Sequence, residues 1–225
     1  MPILAGFHVE GNDHLILRAF VAKALPLPED QIQVDFIDAP GRGWQFVLEF
    51  IPKALKRFYG QCAQFAVVGV DNDGDVDLDQ AALPEDPRHP RHDNHPGGAA
   101  VSACRYCMVA EAVARTRSEL NWILKKPGIT WPILIAVPVE MIETWLLILQ
   151  GKPGIQRRPR SIQKRLLYGK PVATAADVTN VAIPLVQGMT DADLLSLSEA
   201  SPSFRCFHDQ INAAKTAILG IADCY

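Results

Sequence analysis

The 225-residue chain lacks several features that would each assign it to a particular class of protein. It has no apolar run of about 20 residues, because Glu140 and Glu143 interrupt its most apolar part, so no membrane-spanning helix and no membrane partner are expected. It has no overall excess of basic residues. The formal net charge is -3, and any surface that binds nucleic acid must therefore be local.

A secretory signal and a disulfide framework are also not expected. The first residues, MPILAGFHVEGNDH, contain no basic segment followed by an apolar one. Five cysteines are an odd number, which argues against complete disulfide pairing and favours a reducing compartment. Hydrophobic residues make up 48% of the chain and charged residues 21%, as in folded globular proteins. These observations predict a globular protein of the cytoplasm.

Short apolar runs alternate with segments of helical periodicity over much of the chain. Strands are predicted at 3–9, 31–38, 63–70 and 131–137. Helices are predicted at 14–25, 43–60, 99–120 and 138–150. Pro52 is expected to bend or restart the second helix, whereas Pro138 would stand in the tolerated first turn of the fourth. The alternation predicts an α/β fold, a three-layer sandwich with a mainly parallel sheet.

Two regions differ in character from this alternating pattern. A stretch rich in proline and histidine, at about 84–108, is too long for an ordinary connection and is expected to be an insertion. Residues 151–225 contain only helical patterns. We therefore expect a core at 1–150 that carries the insertion, and a helical C-terminal extension at 151–225 that packs on this core.

Carboxylates follow three of the four predicted strands. They are Glu10 after the first strand, Asp71, Asp73 and Asp75 after the third, and Glu140 and Glu143 after the fourth. In open parallel sheets, ligands bind outside the carboxyl ends of the strands. Clustered carboxylates repel one another, and a hard divalent cation such as Mg²⁺, which binds oxygen ligands, would offset this repulsion. We also expect Glu140 and Glu143 to share one face of the helix at 138–150.

The sequence DNDGD at 71–75 has other interpretations. Asp-Asn-Asp-Gly is a good turn sequence, and a solvated turn would need no metal. A calcium-binding hand is excluded, because Val76 stands where that loop needs glycine and Ala82 where it needs glutamate.

Several of these motifs resemble the TOPRIM (topoisomerase–primase) domain. VEG at 9–11 and VVGVDND at 67–73 are similar to its glutamate and Asp-x-Asp motifs. VEMIETW at 139–145 and SPSFRCF at 201–207 resemble a group of small bacterial TOPRIM-like proteins that are related to OLD-type nucleases and often linked to phage defence.

The resemblance implies a three-layer α/β sandwich and Mg²⁺- or Mn²⁺-dependent chemistry on phosphodiesters. Glu10, Asp71 and Asp73 match the TOPRIM acids, whereas Glu140 and Glu143 match only the bacterial subgroup. The chain departs from the pattern in its long insertion and in the absence of an ATPase segment, so that an ATPase would be a separate protein partner.

The insertion contains residues with the spacing of a zinc site. His92-x2-His95-x8-Cys104-x2-Cys107 offers two nitrogen and two sulfur ligands, and Zn²⁺ favours such a tetrahedral set. His89 is an alternative to either histidine. The other interpretations are a flexible loop with incidental histidines, followed by a helix with two half-buried cysteines, and an HNH-type nuclease motif, for which no pair of strands is visible. A zinc held by four protein ligands would be structural.

Residues 152–170 contain seven basic residues and no acidic one. Those predicted to bind nucleic acid are Arg157, Arg158, Arg160, Lys164 and Arg165. Lysine and arginine contacts to phosphate provide affinity that is independent of sequence. The alternative is a surface run that only increases solubility.

Three functions are compatible with these residues. The first is a metal-dependent nuclease that acts on DNA or RNA, in which Glu10, Asp71 and Asp73 bind the metal and Asp75, Glu140 or Glu143 completes the site or acts as base. The second is a zinc-stabilised binding or regulatory subunit of a larger defence-type complex, without catalysis. The third is hydrolysis of a nucleotide or another small phosphate ester by the same acids.

The zinc interpretation predicts a metal stoichiometry. Protein purified without chelators should contain about one zinc per chain, and the double substitution Cys104→Ser/Cys107→Ser should remove it, because two of four ligands are lost. Elemental analysis by mass spectrometry measures this, with Cys62→Ser as the control. A zinc content that is the same in all three proteins would contradict the site.

Overall fold

The computed structural model describes residues 2–37, 43–71, 105–124, 131–138, 141–152, 155 and 158–220. Its four strands are β1 (Ile3–Val9), β2 (Ile32–Phe36), β3 (Phe65–Gly69) and β4 (Ile133–Ala136). They form one sheet in the order β2-β1-β3-β4, and every pair in it is parallel. The prediction of an α/β fold with a parallel sheet is therefore confirmed.

The helices of the described residues fill the connections between the strands and the C-terminal third. They are α1 (Asp13–Ala24), α2 (Trp44–Gly60), α3 (Arg105–Leu124), α4 (Glu143–Leu149), α5 (Arg160–Tyr168), α6 (Ala175–Asp177), α7 (Ile183–Gln187), α8 (Asp191–Ala200) and α9 (Pro202–Gly220). A π-helical segment, Val178–Ala182, joins α6 to α7, and a short 3-10 helix, Glu29–Gln31, precedes β2. None of the helices in the described ranges is long and apolar enough to cross a membrane.

The sheet has a separate hydrophobic core on each face. Along β3, Phe65 and Val67 enter one core, and Ala66 and Val68 enter the other, because successive side chains of a strand point to opposite faces. Helices α2 and α3 contribute to the second core, and α1 with the C-terminal helices contributes to the first. The helices therefore form a layer on each side of the sheet.

An aromatic cluster joins the C-terminal helices to the sheet's first core. Trp145 of α4 stacks on Phe207 of α9 with ring centroids 5.8 Å apart, and meets Phe20 of α1 edge-on at 5.9 Å. The indole nitrogen of Trp145 donates a hydrogen bond to the Ser203 hydroxyl at 3.0 Å. The ring contacts bury the apolar surface of the tryptophan, and the hydrogen bond gives its indole nitrogen a partner.

Two expectations that rest on prolines, a restart at Pro52 and a helix start at Pro138, differ from the structure. Helix α2 continues through Pro52 without a restart, because the proline stands in a helix whose Val47, Ile51 and Leu55 are fully buried, and this packing outweighs the lost hydrogen bond. Helix α4 begins at Glu143 and not at Pro138. Glu140 lies outside the described ranges, so the expectation that it shares a helix face with Glu143 stays a prediction.

Close packing of α2 against β1 depends on Gly6. A Cβ atom at this position would lie 2.2 Å from Cγ of Phe58, whose ring is fully buried. The glycine is therefore required for the distance between helix and sheet.

We expect Gly6→Ala to lower the free energy of unfolding by about 1–3 kcal/mol, because the added methyl group overpacks this core. Thermal or urea unfolding measures the effect. Gly60→Ala is the matched control, since a Cβ at Gly60 would meet no atom within 4 Å. Equal stability of the two variants would contradict the packing argument.

Candidate functional site

A cleft of about 400 Å³ opens at the carboxyl edge of the sheet, beside the ends of β1 and β3. We call it the carboxylate cleft, after the charged side chains in its lining, which are Glu10, Asp13, Asp71, Glu143, Arg160 and Lys164. Val9, Val47 and Val178 add apolar surface to it. This is the edge at which parallel α/β sheets bind ligands.

The parallel pairing of β1 and β3 brings Glu10 and Asp71 together. Val9 lies opposite Gly69 in the register, so the residues that follow each strand leave the sheet side by side. Beyond the last ladder position, the backbone nitrogen of Asp71 donates a hydrogen bond to Oε1 of Glu10 at 3.0 Å. A carboxylate thus takes the place of a strand carbonyl at the edge of the cleft.

Two arginines compensate the buried Asp71. The guanidinium of Arg160 donates to Oδ2 of Asp71 and forms an ion pair with it. Arg105, which is itself buried, donates to the backbone carbonyl of Asp71, and its guanidinium lies 4.8 Å from the ring centroid of Trp44. Both the side chain and the main chain of Asp71 are therefore held by cations.

Glu143 is the first residue of α4 and is almost completely buried. Nζ of Lys164 lies 3.9 Å from its Oε1. The two helices are joined by a hydrogen bond of 2.7 Å between the Thr144 hydroxyl and Oε1 of Gln163. Because Arg160 and Lys164 are four residues apart on α5, they lie on the same side of that helix, and both line the cleft.

Asp13 shows that the carboxylates of the cleft interact electrostatically. Burial raises the pKa of Asp13 well above its ordinary value, and the negative charges of Asp71, Glu143 and Glu10 raise it further. Burial, followed by the charge of Glu143, also raises the pKa of Tyr168. Four carboxyl groups from three parts of the chain thus share one electrostatic environment.

The structure brings together only some of the residues predicted from the sequence. Glu10, Asp71, Glu143, Arg160 and Lys164 all line the carboxylate cleft. Arg158 and Arg165 are exposed and are not part of its lining. Cys107 lies half-buried on α3. The remaining predicted residues lie outside the described ranges: Asp73, Asp75, Glu140, His92, His95, Cys104 and Arg157.

Sequence reasoning missed Asp13, Arg105 and Tyr168. Asp13 has a recognisable signal, because it follows Glu10 by three residues at the predicted start of a helix. Arg105 stands between two cysteines whose spacing predicts metal binding, and its contact with position 71 spans 34 residues. Nothing local in the sequence indicates such a contact.

The donor atoms of the carboxylate cleft suit a hard divalent cation, because all its acidic ligands offer oxygen. Within the part of the chain that the structure describes, no three His, Cys, Asp or Glu side chains are arranged to hold a metal ion. Two of the acids are instead paired with protein cations, Asp71 with Arg160 and Glu143 with Lys164. The chemistry of the donors thus fits Mg²⁺ or Mn²⁺, and the charges of Asp71 and Glu143 are balanced from within the protein.

Comparisons with protein-family models, with curated proteins and with solved structures found no match to this chain.

The raised pKa of Asp13 predicts a pH-dependent contribution to stability. The unfolded chain loses this proton at about pH 4, whereas the folded protein retains it to higher pH. The stability that this group contributes is therefore fully present below its pKa in the unfolded chain. It is lost as the pH rises through its pKa in the folded protein.

We expect Asp13→Asn to raise the melting temperature at pH 8 and to have a smaller effect near pH 4.5, because the raised pKa favours the protonated carboxyl at the lower pH. Thermal unfolding across this range measures the difference between the variant and the native protein. Asp30→Asn, at an exposed carboxylate, is the control. An effect of Asp13→Asn that does not change with pH would contradict the assignment.

Proposed function

We propose that this protein hydrolyses phosphodiesters with a divalent metal ion, as a nuclease, and that the carboxylate cleft is its active site. The observation that carries the proposal is the convergence of four carboxyl groups and two cationic side chains on one cleft at the carboxyl edge of a parallel sheet. Acidic groups alone would favour a cation site. The combination with arginine and lysine favours a ligand that brings both a metal and phosphate.

The acidic residues would bind the metal, and the basic residues would bind the substrate. Glu10 and Asp71 are the candidate ligands for Mg²⁺ or Mn²⁺, because they are adjacent and lie at the ends of neighbouring strands. When bound, the metal would activate water and stabilise the leaving oxygen. Asp13 retains its proton to higher pH than an ordinary aspartate, and would donate a hydrogen bond to a phosphate oxygen.

Exposed arginines that are close in sequence to the cleft lining favour a polymer over a small phosphate ester. Arg158 and Arg165 are exposed at positions that flank the cleft-lining Arg160 and Lys164 in sequence. A nucleotide inside the cleft would not need these outer charges, whereas a nucleic-acid strand that extends out of it would contact them through its phosphates. The similarity of VEG (9–11) and VVGVDND (67–73) to the TOPRIM motifs also supports a nucleic acid as substrate.

One observation favours a second function, that of a binding or regulatory subunit without catalysis. The pairing of Asp71 with Arg160 and of Glu143 with Lys164 gives these two acids counter-charges without a metal. A protein that had lost its metal would benefit from such pairs, because buried carboxylates need compensation. This subunit would bind a protein partner, such as an ATPase, or nucleic acid.

The nuclease proposal predicts the loss of cleavage in two variants. With Mg²⁺ or Mn²⁺ and plasmid DNA, single-stranded DNA or RNA, Asp71→Asn and Glu10→Gln should each lower the rate by about 100-fold or more, as when a group that acts on the reacting atoms is removed. Gel electrophoresis of the products measures the rate. Asp209→Asn, at an exposed carboxylate on α9, is the control and should cleave at the native rate.

Cleavage that persists in both variants would contradict the assignment of the site. If the native protein binds these nucleic acids but cleaves none of them with either metal, the binding function is favoured. The control excludes a general effect of removing one negative charge.

A further inference from the structure

We propose that Arg160 is an internal counter-cation that occupies Asp71 until a phosphate-bearing ligand draws it away, so that metal binding and phosphate binding at the carboxylate cleft are coupled. The inference rests on the proposed function and adds a mode of regulation to it. It concerns how the binding of phosphate and the binding of metal depend on each other, and not the hydrolysis that follows.

The two members of the ion pair differ in accessibility. The Asp71 side chain is 6% exposed, whereas the Arg160 side chain is 40% exposed. A ligand in the cleft can therefore reach the guanidinium while the carboxylate remains covered. Arg160 can leave by rotation of its own side chain, without displacement of the sheet or of Asp71.

The buried carboxylate always needs a cation near it. Removing the positive partner of a buried pair leaves an uncompensated charge, which is strongly unfavourable. Asp71 can be compensated by the guanidinium or by a divalent ion, and its Oδ2 now accepts the hydrogen bond from Arg160. Arginine and metal thus compete for the same carboxylate.

Phosphate is the ligand that would resolve this competition. A guanidinium forms two parallel hydrogen bonds with phosphate, a geometry that suits arginine better than lysine. When Arg160 pairs with a phosphate oxygen, the carboxylate of Asp71 becomes available to a metal. The metal then replaces the positive charge that Arg160 had supplied to Asp71. Each ligand would therefore increase the affinity of the cleft for the other.

The backbone that carries Arg160 is fixed. Gln163 of the same helix is fully buried, and its side-chain nitrogen donates to the backbone carbonyls of Ile155 and Arg158 at 3.2 and 2.9 Å. Leu167, one turn further, enters the hydrophobic core. The exchange of partners is thus confined to the arginine side chain, which supports a local switch and not a movement of α5.

Binding of Mn²⁺ alone, measured by calorimetry on the full chain, tests the competition. We expect Arg160→Gln to bind Mn²⁺ about tenfold more tightly than the native protein, because the competing guanidinium is gone. Arg165→Gln is the matched control: it removes the same charge from the same helix, but Arg165 is exposed and does not line the cleft. Its Mn²⁺ affinity should change less than twofold.

A second titration tests the coupling. Dimethyl phosphate, a diester without a base or sugar, should increase the Mn²⁺ affinity of the native protein and leave that of Arg160→Gln unchanged. Arg160→Lys, which keeps the charge but loses the planar pair of donors, should bind Mn²⁺ more tightly than the native protein and less tightly than Arg160→Gln. If Arg160→Gln does not fold, the Mn²⁺ affinity of Arg160→Lys is compared with that of the native protein instead.

The results separate this inference from the proposed function. If Arg160→Gln binds Mn²⁺ no more tightly than Arg165→Gln, or if dimethyl phosphate has no effect on the native protein, the inference is wrong. The metal-dependent function then still stands, provided that the native protein binds Mn²⁺ in a way that Asp71→Asn abolishes. If neither the native protein nor any variant binds Mn²⁺, both are wrong.

Discussion

The carboxylate of Asp71 is buried at the end of a central strand, and much of the surrounding structure compensates its charge. Arg160 pairs with the side chain, Arg105 binds the main-chain carbonyl, and the backbone nitrogen of Asp71 donates to Glu10. These partners come from α5, α3 and the end of β1, which are far apart in sequence. A stable fold has no need of such a buried acid, since an apolar residue would avoid the cost of desolvation. The arrangement therefore supports the proposal that the cleft binds a ligand.

The sheet that supports this site is protected at its exposed edge by a side-chain amide. Gln210 of α9 accepts a hydrogen bond from the backbone nitrogen of Ile135 at 2.8 Å and donates one to its carbonyl at 3.0 Å. Strand β4 is at the edge of the sheet, and a further strand would have paired with the backbone N–H and C=O of Ile135. Gln210 takes the place of that strand. Between β1 and β3, the side chain of Gln64, the residue before β3, accepts a hydrogen bond from the backbone nitrogen of Leu4 at 2.7 Å. The C-terminal helices thus complete the sheet as well as its core.

The sequence predicts the strands better than it predicts their surroundings. Continuous apolar runs such as 65–69 identify buried parallel strands, because both faces of the sheet are covered. The acids at strand ends follow from the same pattern, and Glu10, Asp71 and Glu143 do meet in the cleft. Contacts that depend on tertiary packing, such as that between Arg105 and Asp71, have no local signal. The sequence predicts the start of α4 too early, because Pro138 is a valid helix start that the chain does not use.

The charges of α5 illustrate how one basic segment can have two roles. Arg160 and Lys164 are separated by four residues and face the cleft, whereas Arg165 lies about 100° further around the helix and faces solvent. In the sequence these residues belong to a single basic segment, and composition does not distinguish between them. Helical periodicity divides them into cations that neutralise buried acids and cations that are free to meet a ligand outside. The first group lowers the electrostatic cost of the cleft, and the second would provide affinity that depends on salt concentration. A strand of nucleic acid that contacts both groups would therefore change the charge inside the cleft as it binds at the surface.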